Sequence, residues 1–241
     1  MKFLLNTKCF VVLSVLLIAQ GTLFADTMDP AAASLQSVID GGVGYKVGNL
    51  TFTNFYVNSI TQGSANAPDP SGILVDGKVL ADGRVQLDFT GSWTAIGLGS
   101  VADTKLRFQV VADEPYVIQA NELGLTSAKV QGDGYVIITE NIFDGHPSED
   151  PNTTLIGDKL VAKFDDRSQM KDLAAFDGQS MIWVEKDISV ADFGGDELIT
   201  LSHLSGFYQN FTVTPEPGTM SLLGFGTFGL LARKRFRKRT R

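Results

Sequence analysis

The residues able to do chemistry are mostly carboxylates. The chain has 27 Asp and Glu but two histidines, His146 and His203, and neither lies at the short spacing of a zinc or triad motif. No serine sits in a Gly-x-Ser-x-Gly elbow, and no glycine-rich phosphate loop follows a strand. Glycoside hydrolysis needs two carboxyls about 5–9.5 Å apart in a cleft. Position along a strand cannot establish that distance, and with so many acids chance pairs are certain.

Hard-oxygen ligands for calcium are better grouped. Glu149-Asp150, Asp165-Asp166 and Asp192 with Asp196-Glu197 fall in loop-like sequence. No Asp-x-Asp-x-Asp-Gly loop accompanies them, so calcium is a candidate ligand without a motif. No other cofactor is expected. Sugar stacking would need an open aromatic. "GSWTAIGLG" (91–99) offers one, because small neighbours would leave Trp93 accessible, although the same stretch would also suit a wide bend that packs Trp93 inward.

These residues stand on strand-like sequence. In "RVQLDFT" (84–90), Val85, Leu87 and Phe89 share one face, while Arg84, Gln86 and Asp88 take the other. That period of two describes a half-buried strand. Segments 50–57, 105–113, 135–141, 158–165, 181–190 and 206–213 read the same way, or as apolar runs rich in β-branched and aromatic residues. Six Asp-Gly pairs begin at Asp40, Asp76, Asp82, Asp133, Asp144 and Asp177, a composition suited to tight hairpins. Segments 29–40 and 168–176 alone read as short helices. Segments 61–72 and 144–154 read as surface loops. The expectation is an all-β body, an antiparallel β-sandwich or jelly roll, in one domain over 26–213.

The two ends are of another kind. Lys2 and Lys8 precede the apolar stretch "FVVLSVLLIA" (10–19), and small residues follow. This describes a secretory signal peptide over 1–25; the small-residue rule admits cleavage after Gly21 or Ala25, and Ala25 is preferred because the mature chain then opens on polar sequence. Its run is short of the ~20 apolar residues that a membrane span requires. Cys9, the sole cysteine, lies in it, so the mature chain has no disulfide and no thiolate site. At the other end, Thr219–Ala232 carries no charge. As a helix it would be ~21 Å long, a minimal anchor in a ~30 Å hydrocarbon layer. Met220, Leu222, Leu223, Phe225, Phe228, Leu230 and Leu231 are its apolar side chains. Arg233, Lys234, Arg235, Arg237, Lys238, Arg239 and Arg241 follow, a basic stop that favours the cytoplasmic side. The signal peptide places the body outside the inner membrane, and the basic end holds the last turn inside.

With the ends removed, the electrostatics change. Of the 20 Lys and Arg, two lie in the leader and seven in the tail; Glu216 is the tail's one acid. The body therefore keeps 11 cations against 26 acids, a formal charge of −15 rather than −7. That balance argues against nucleic acid as a partner, because such binding draws on cations at phosphates.

Pro215-Glu216-Pro217, the short glycine-rich apolar run and the basic terminus, in that order over 214–241, resemble the PEP-CTERM sorting signal of Gram-negative bacteria. The resemblance implies export, transient C-terminal membrane attachment, recognition by an exosortase-type enzyme, and a final place at the cell surface or outside it. It further implies bacteria that make exopolysaccharide. The body, with its "LTFTNF" start and "VEKDISV" late strand, broadly resembles the all-β bodies found above such tails. The expected role is non-enzymatic, structural or adhesive with exopolysaccharide. The alternatives are a secreted carbohydrate-active enzyme and a calcium-dependent carbohydrate-binding module.

Overall fold

The computed structural model describes residues 31–195 and 200–216. The expected signal peptide (1–25), Asp196-Glu197, Pro217, the apolar run 219–232 and the basic end all lie outside the described residues. Among the described residues no helix is long and apolar enough to cross a membrane.

Two seven-stranded sheets pack face to face. The first runs β1 (Ala33–Ser34), β5 (Leu74–Val79), β6 (Val85–Ile96), β14 (Leu201–Pro215), β8 (Tyr116–Gln131) and β12 (Lys171–Gln179), with β4 (Ala65–Asn66) also on β6. The second runs β11 (Ser168–Gln169), β10 (Leu155–Lys163), β9 (Gly134–Phe143), β13 (Met181–Asp192), β7 (Ser100–Ala112), β3 (Leu50–Gln62) and β2 (Tyr45–Val47). All these pairings are antiparallel. The body is thus the expected antiparallel, sandwich-like all-β unit.

Alternation decides which residues meet between the sheets. Val85, Leu87 and Phe89 are all buried, as their period of two requires. An aromatic seam joins the layers: Phe89 of the first sheet stacks on Phe207 at 4.9 Å and tilts against Phe108 of the second at 5.9 Å. Phe52 meets Phe211 across the same gap at 5.4 Å. Burying each such ring contributes about 1.5–3 kcal/mol, so this seam is a substantial part of what holds the sheets together.

The Asp-Gly pairs behave differently from the hairpin expectation. Asp82-Gly83 does form the β5–β6 turn, with Gly83 at φ +84°, a conformation that only glycine adopts without strain. Asp76-Gly77 lies inside β5, and Asp177-Gly178 inside β12. Asp40-Gly41 ends a helix, while Asp133-Gly134 leads from β8 of one sheet into β9 of the other. From β6 onward most connections cross between the sheets, so a tight turn need not join two paired strands.

One of the two expected helices forms. α1 (Leu35–Gly41) is capped by Ser34, whose Oγ accepts from the Ser37 N–H at 3.2 Å, and it buries Leu35. Segment 168–176 is instead β11 and most of β12. Its Leu-Ala-Ala core has good helix propensity, but pairing of 171–175 with β8 prevails; tertiary pairing commonly overrides so weak a preference.

Candidate functional site

β14 carries the body into the tail. It is central in the first sheet, paired with β6 as far as Phe211↔Val85 and with β8 as far as Pro215↔Tyr116. Beyond Phe211 only the β8 side is paired, so Pro215, which has no N–H to donate, costs the ladder nothing on the β6 side. The Glu216 N–H then donates to the Pro115 carbonyl at 2.7 Å. The boundary expected after residue 213 therefore moves: Thr214 and Pro215 belong to the sheet, and Glu216 is tied to it. Pairing continues because the β8 register extends to Tyr116, which pattern reading did not assign to any strand.

A second constellation lies between the sheets. Glu140 of β9 stands directly across from Lys159 of β10 on one side and Lys186 of β13 on the other. The three side chains form one inward-facing row, each almost fully buried. Glu140 is ion-paired to both lysines. From the opposite sheet, Gln209 Nε2 donates to both Glu140 oxygens, at 2.8 and 2.9 Å. Lys159 Nζ donates to the Asn121 side-chain Oδ1 and, at 3.3 Å, to its backbone carbonyl. Lys186 Nζ lies 5.8 Å from the ring centroids of both Phe108 and Phe207.

Burial controls the charges here. It lowers the Lys159 amine from 10.5 to about 7, against the opposing pull of Asp172 and Glu122. Burial also holds Lys186 well below its ordinary value. An isolated buried ammonium is expensive, and an ion pair offsets that only with good geometry and further hydrogen bonds. One carboxylate serves two amines in this row. Asn121 Nδ2 and Gln209 Oε1 are buried beside it without a hydrogen-bond partner.

The sequence held a signal for this row. In "VIITENI" the positions 136, 138, 140 and 142 share a face, so Glu140 falls in phase with Val136, Ile138 and Ile142. Lys159 is in phase with Val161, and Lys186 with Val184 and Ile188. A charge in core phase on three strands marks a buried polar site.

The residues singled out from sequence do not converge. Trp93 is fully buried; its Nε1 donates to Thr104 Oγ1 at 3.0 Å, and its ring tilts against Phe207. Gly91 lies against the Trp93 ring and leaves room for it, so the small neighbours serve inward packing and not an open platform. His146 packs edge-on against Trp183 at 4.4 Å on the second sheet, whereas His203 sits on β14 of the first. Asp192 is fully buried and accepts from the Gly97 and Gly194 N–H groups, each at 2.8 Å, latching two turns. Asp144 and Asp150 likewise accept from the Thr154 and Asn152 N–H groups within their own loop. Among the described residues no group of three His, Asp or Glu is placed to hold a metal.

One aromatic ladder does reach the surface. The Arg107 guanidinium lies 5.3 Å from the Tyr56 ring and 5.9 Å from that of Trp183, and its Nη1 donates to Ser148 Oγ at 3.3 Å. Tyr56 is 46% exposed, enough for one ring face to meet a flat ligand. A shallow hollow of about 240 Å³ lies elsewhere, against α1 and the start of β3, and is lined by Val38, Ile39, Thr53, Asn54 and Phe55 among others. No acid or base lines it.

The central strand of this two-sheet body leads directly into the proline, apolar and basic sequence of the tail. The chain carries a PEP-CTERM protein-sorting motif at residues 213–238. The motif begins inside β14, two residues before its first proline. It implies export to the envelope of a Gram-negative bacterium and an exosortase-type sorting partner.

No curated protein matches the chain. Among solved structures it is similar to a family two carbohydrate esterase from Cellvibrio japonicus, at 15% identity over 68% of this chain and 36% of that one, with TM-score 0.23. It is also similar to the enzymatically active domain of tailspike protein 4 of bacteriophage CBA120, at 11% identity over 64% and 19%, with TM-score 0.26. A third likeness is to a structure described for carbohydrate-binding modules of the β-sandwich superfamily, at 12% identity over 71% and 56%, with TM-score 0.21. The chain spans about a third of the length of the esterase.

Proposed function

We propose that this protein is an exported, non-enzymatic structural or adhesive component of the cell surface, delivered by its tail and acting through its sandwich body within or beneath exopolysaccharide. The observation that carries the reading is the sorting motif at 213–238, continuous with a central strand of the body. Its leader, membrane run and basic end supply export, a transient hold on the membrane and orientation. The acidic body repels its own copies and stays soluble once released. The face suited to polysaccharide is the outer side of the second sheet, where Tyr56 is backed by Arg107 and its ring is half free.

The experiment is expression in cells with and without an exosortase, followed by mass spectrometry of the surface and released protein. With the enzyme, the mature species lacks 233–241. Recovery of an intact Arg241 in the released protein overturns the sorting reading. Release with correct processing, but no retention on exopolysaccharide, overturns the adhesive part alone.

A further inference from the structure

The buried row contains one amine more than its carboxylate can neutralise. Both lysines contact Glu140, but only Lys159 also contacts a carboxamide, that of Asn121 on the facing sheet. The Nδ2 of that same carboxamide is buried and unpartnered. An amine, an amide carbon and a carboxylate thus meet in a water-poor core, with the amide nitrogen attached to nothing that would hold it. We propose that Lys159 and Asn121 become joined by an intramolecular isopeptide bond, with Glu140 as the catalytic residue that moves the proton.

The step balances from these three side chains alone. The Lys159 Nζ lone pair adds to Cγ of Asn121, and Glu140 takes the proton that Nζ loses. Glu140 then delivers that proton to Nδ2, the Cγ–Nδ2 bond breaks, and ammonia leaves. One C–N bond forms, one breaks, and nothing is oxidised or reduced. Amide aminolysis is slow between free partners in water, but fixed contact removes the need for an encounter. Desolvation supplies the nucleophile, since with its proton affinity lowered to about 7 the Lys159 amine is substantially neutral near neutral pH.

The product resolves both defects of the row. Lys159 becomes a neutral amide, leaving Glu140 and Lys186 as a one-to-one ion pair. The unpartnered Nδ2 departs altogether. The bond links β8 of one sheet to β10 of the other across a sequence separation of 38. In a chain that has its only cysteine at position 9, it is a covalent staple that needs no thiol.

The test is a tryptic map of the purified full chain under denaturing conditions, and it is independent of how the protein is sorted. Trypsin cuts after a free Lys159 but not after an acylated one. The expected product is a branched species joining 108–129 to 130–163, lighter than the two segments together by one ammonia. Asn121→Asp should give the same branched product, by loss of water. Glu140→Ala should give separate segments while the strand spectrum is retained; should that variant not fold, the wild-type map decides alone. Recovery of free 108–129 and 130–159 as the sole wild-type products overturns the proposal. A branch on Lys186 overturns the assignment to Lys159.

Discussion

Pro215, the first proline of the sorting motif, stands in register with Tyr116 at the start of β8. The sorting signal therefore emerges from the sheet itself, with no linker between the last strand and the motif. Residues 213–216 therefore serve twice, held by the sheet and counted in the motif.

This boundary predicts a sharp difference between two truncations. A chain ending after Glu216 should keep its strand-dominated spectrum and melting temperature. A chain ending after Tyr208 loses Gln209, which holds Glu140, and Phe211, which is fully buried against Phe52. Removing a core phenylalanine alone costs about 3–5 kcal/mol, so this chain should not fold. Circular dichroism of the pair checks the boundary, and equal stability would show that β14 does not matter beyond Tyr208.

The inner face of β6 gives a second contrast. Leu87→Asp places an unpaired charge at a fully buried position and should cost several kcal/mol. Ser92→Asp, at an exposed site on the same strand, should stay within about 0.5 kcal/mol. Thermal unfolding separates them. Similar losses would mean that β6 is not half-buried.

The strands that alternate cleanly were legible because burial on one face leaves a period-two record, as in Val85, Leu87 and Phe89. β8 was not. Its sixteen residues include Asn121, Glu122, Gly124 and a Ser-Ala-Lys stretch, so no simple alternation survives, although it pairs with β14 along most of its length. β12 reads as a helix because an edge strand with few buried positions is free to carry helix-favouring Leu and Ala. The buried row is hard to read for the opposite reason. Its charges sit in core phase, away from any surface cleft and without metal-ligand spacing. The sorting motif is legible because it is a linear signal, read before any fold is needed.

The ladder on the second sheet should govern the 144–154 loop. Arg107 joins Tyr56, Trp183 and Ser148, and His146 packs edge-on against Trp183. Each cation–π contact contributes about 0.5–2 kcal/mol. Arg107→Ala should lower global stability modestly while making the loop markedly more sensitive to proteolysis between His146 and Thr153. Limited digestion with mass mapping reads this. Unchanged cleavage would show that the loop is held by its own Asp144 and Asp150 turns instead.

The last prediction concerns pH, and it separates a linked from an unlinked Lys159. In Asn121→Ala the amine stays free. Its unfolded chain keeps the proton up to about 10.4, whereas burial lets the folded chain release it near about 7. Between those values the unfolded state binds more protons, so stability rises with pH; below about 7 this amine adds no slope. By about pH 9 the variant should have gained about 2–3 kcal/mol relative to pH 6, at about 1.4 kcal/mol per unit. Lys186, also lowered by burial, adds the same sign in both proteins. The wild type, with Lys159 acylated, lacks the Lys159 share and keeps a staple worth about 4 kcal/mol for a closed loop of this size. The melting-temperature gap between the two should thus be wide at about pH 6 and narrower at about pH 9. A gap that does not change with pH would mean that the lysine in the wild type titrates as freely as in the variant, and that no bond consumes it.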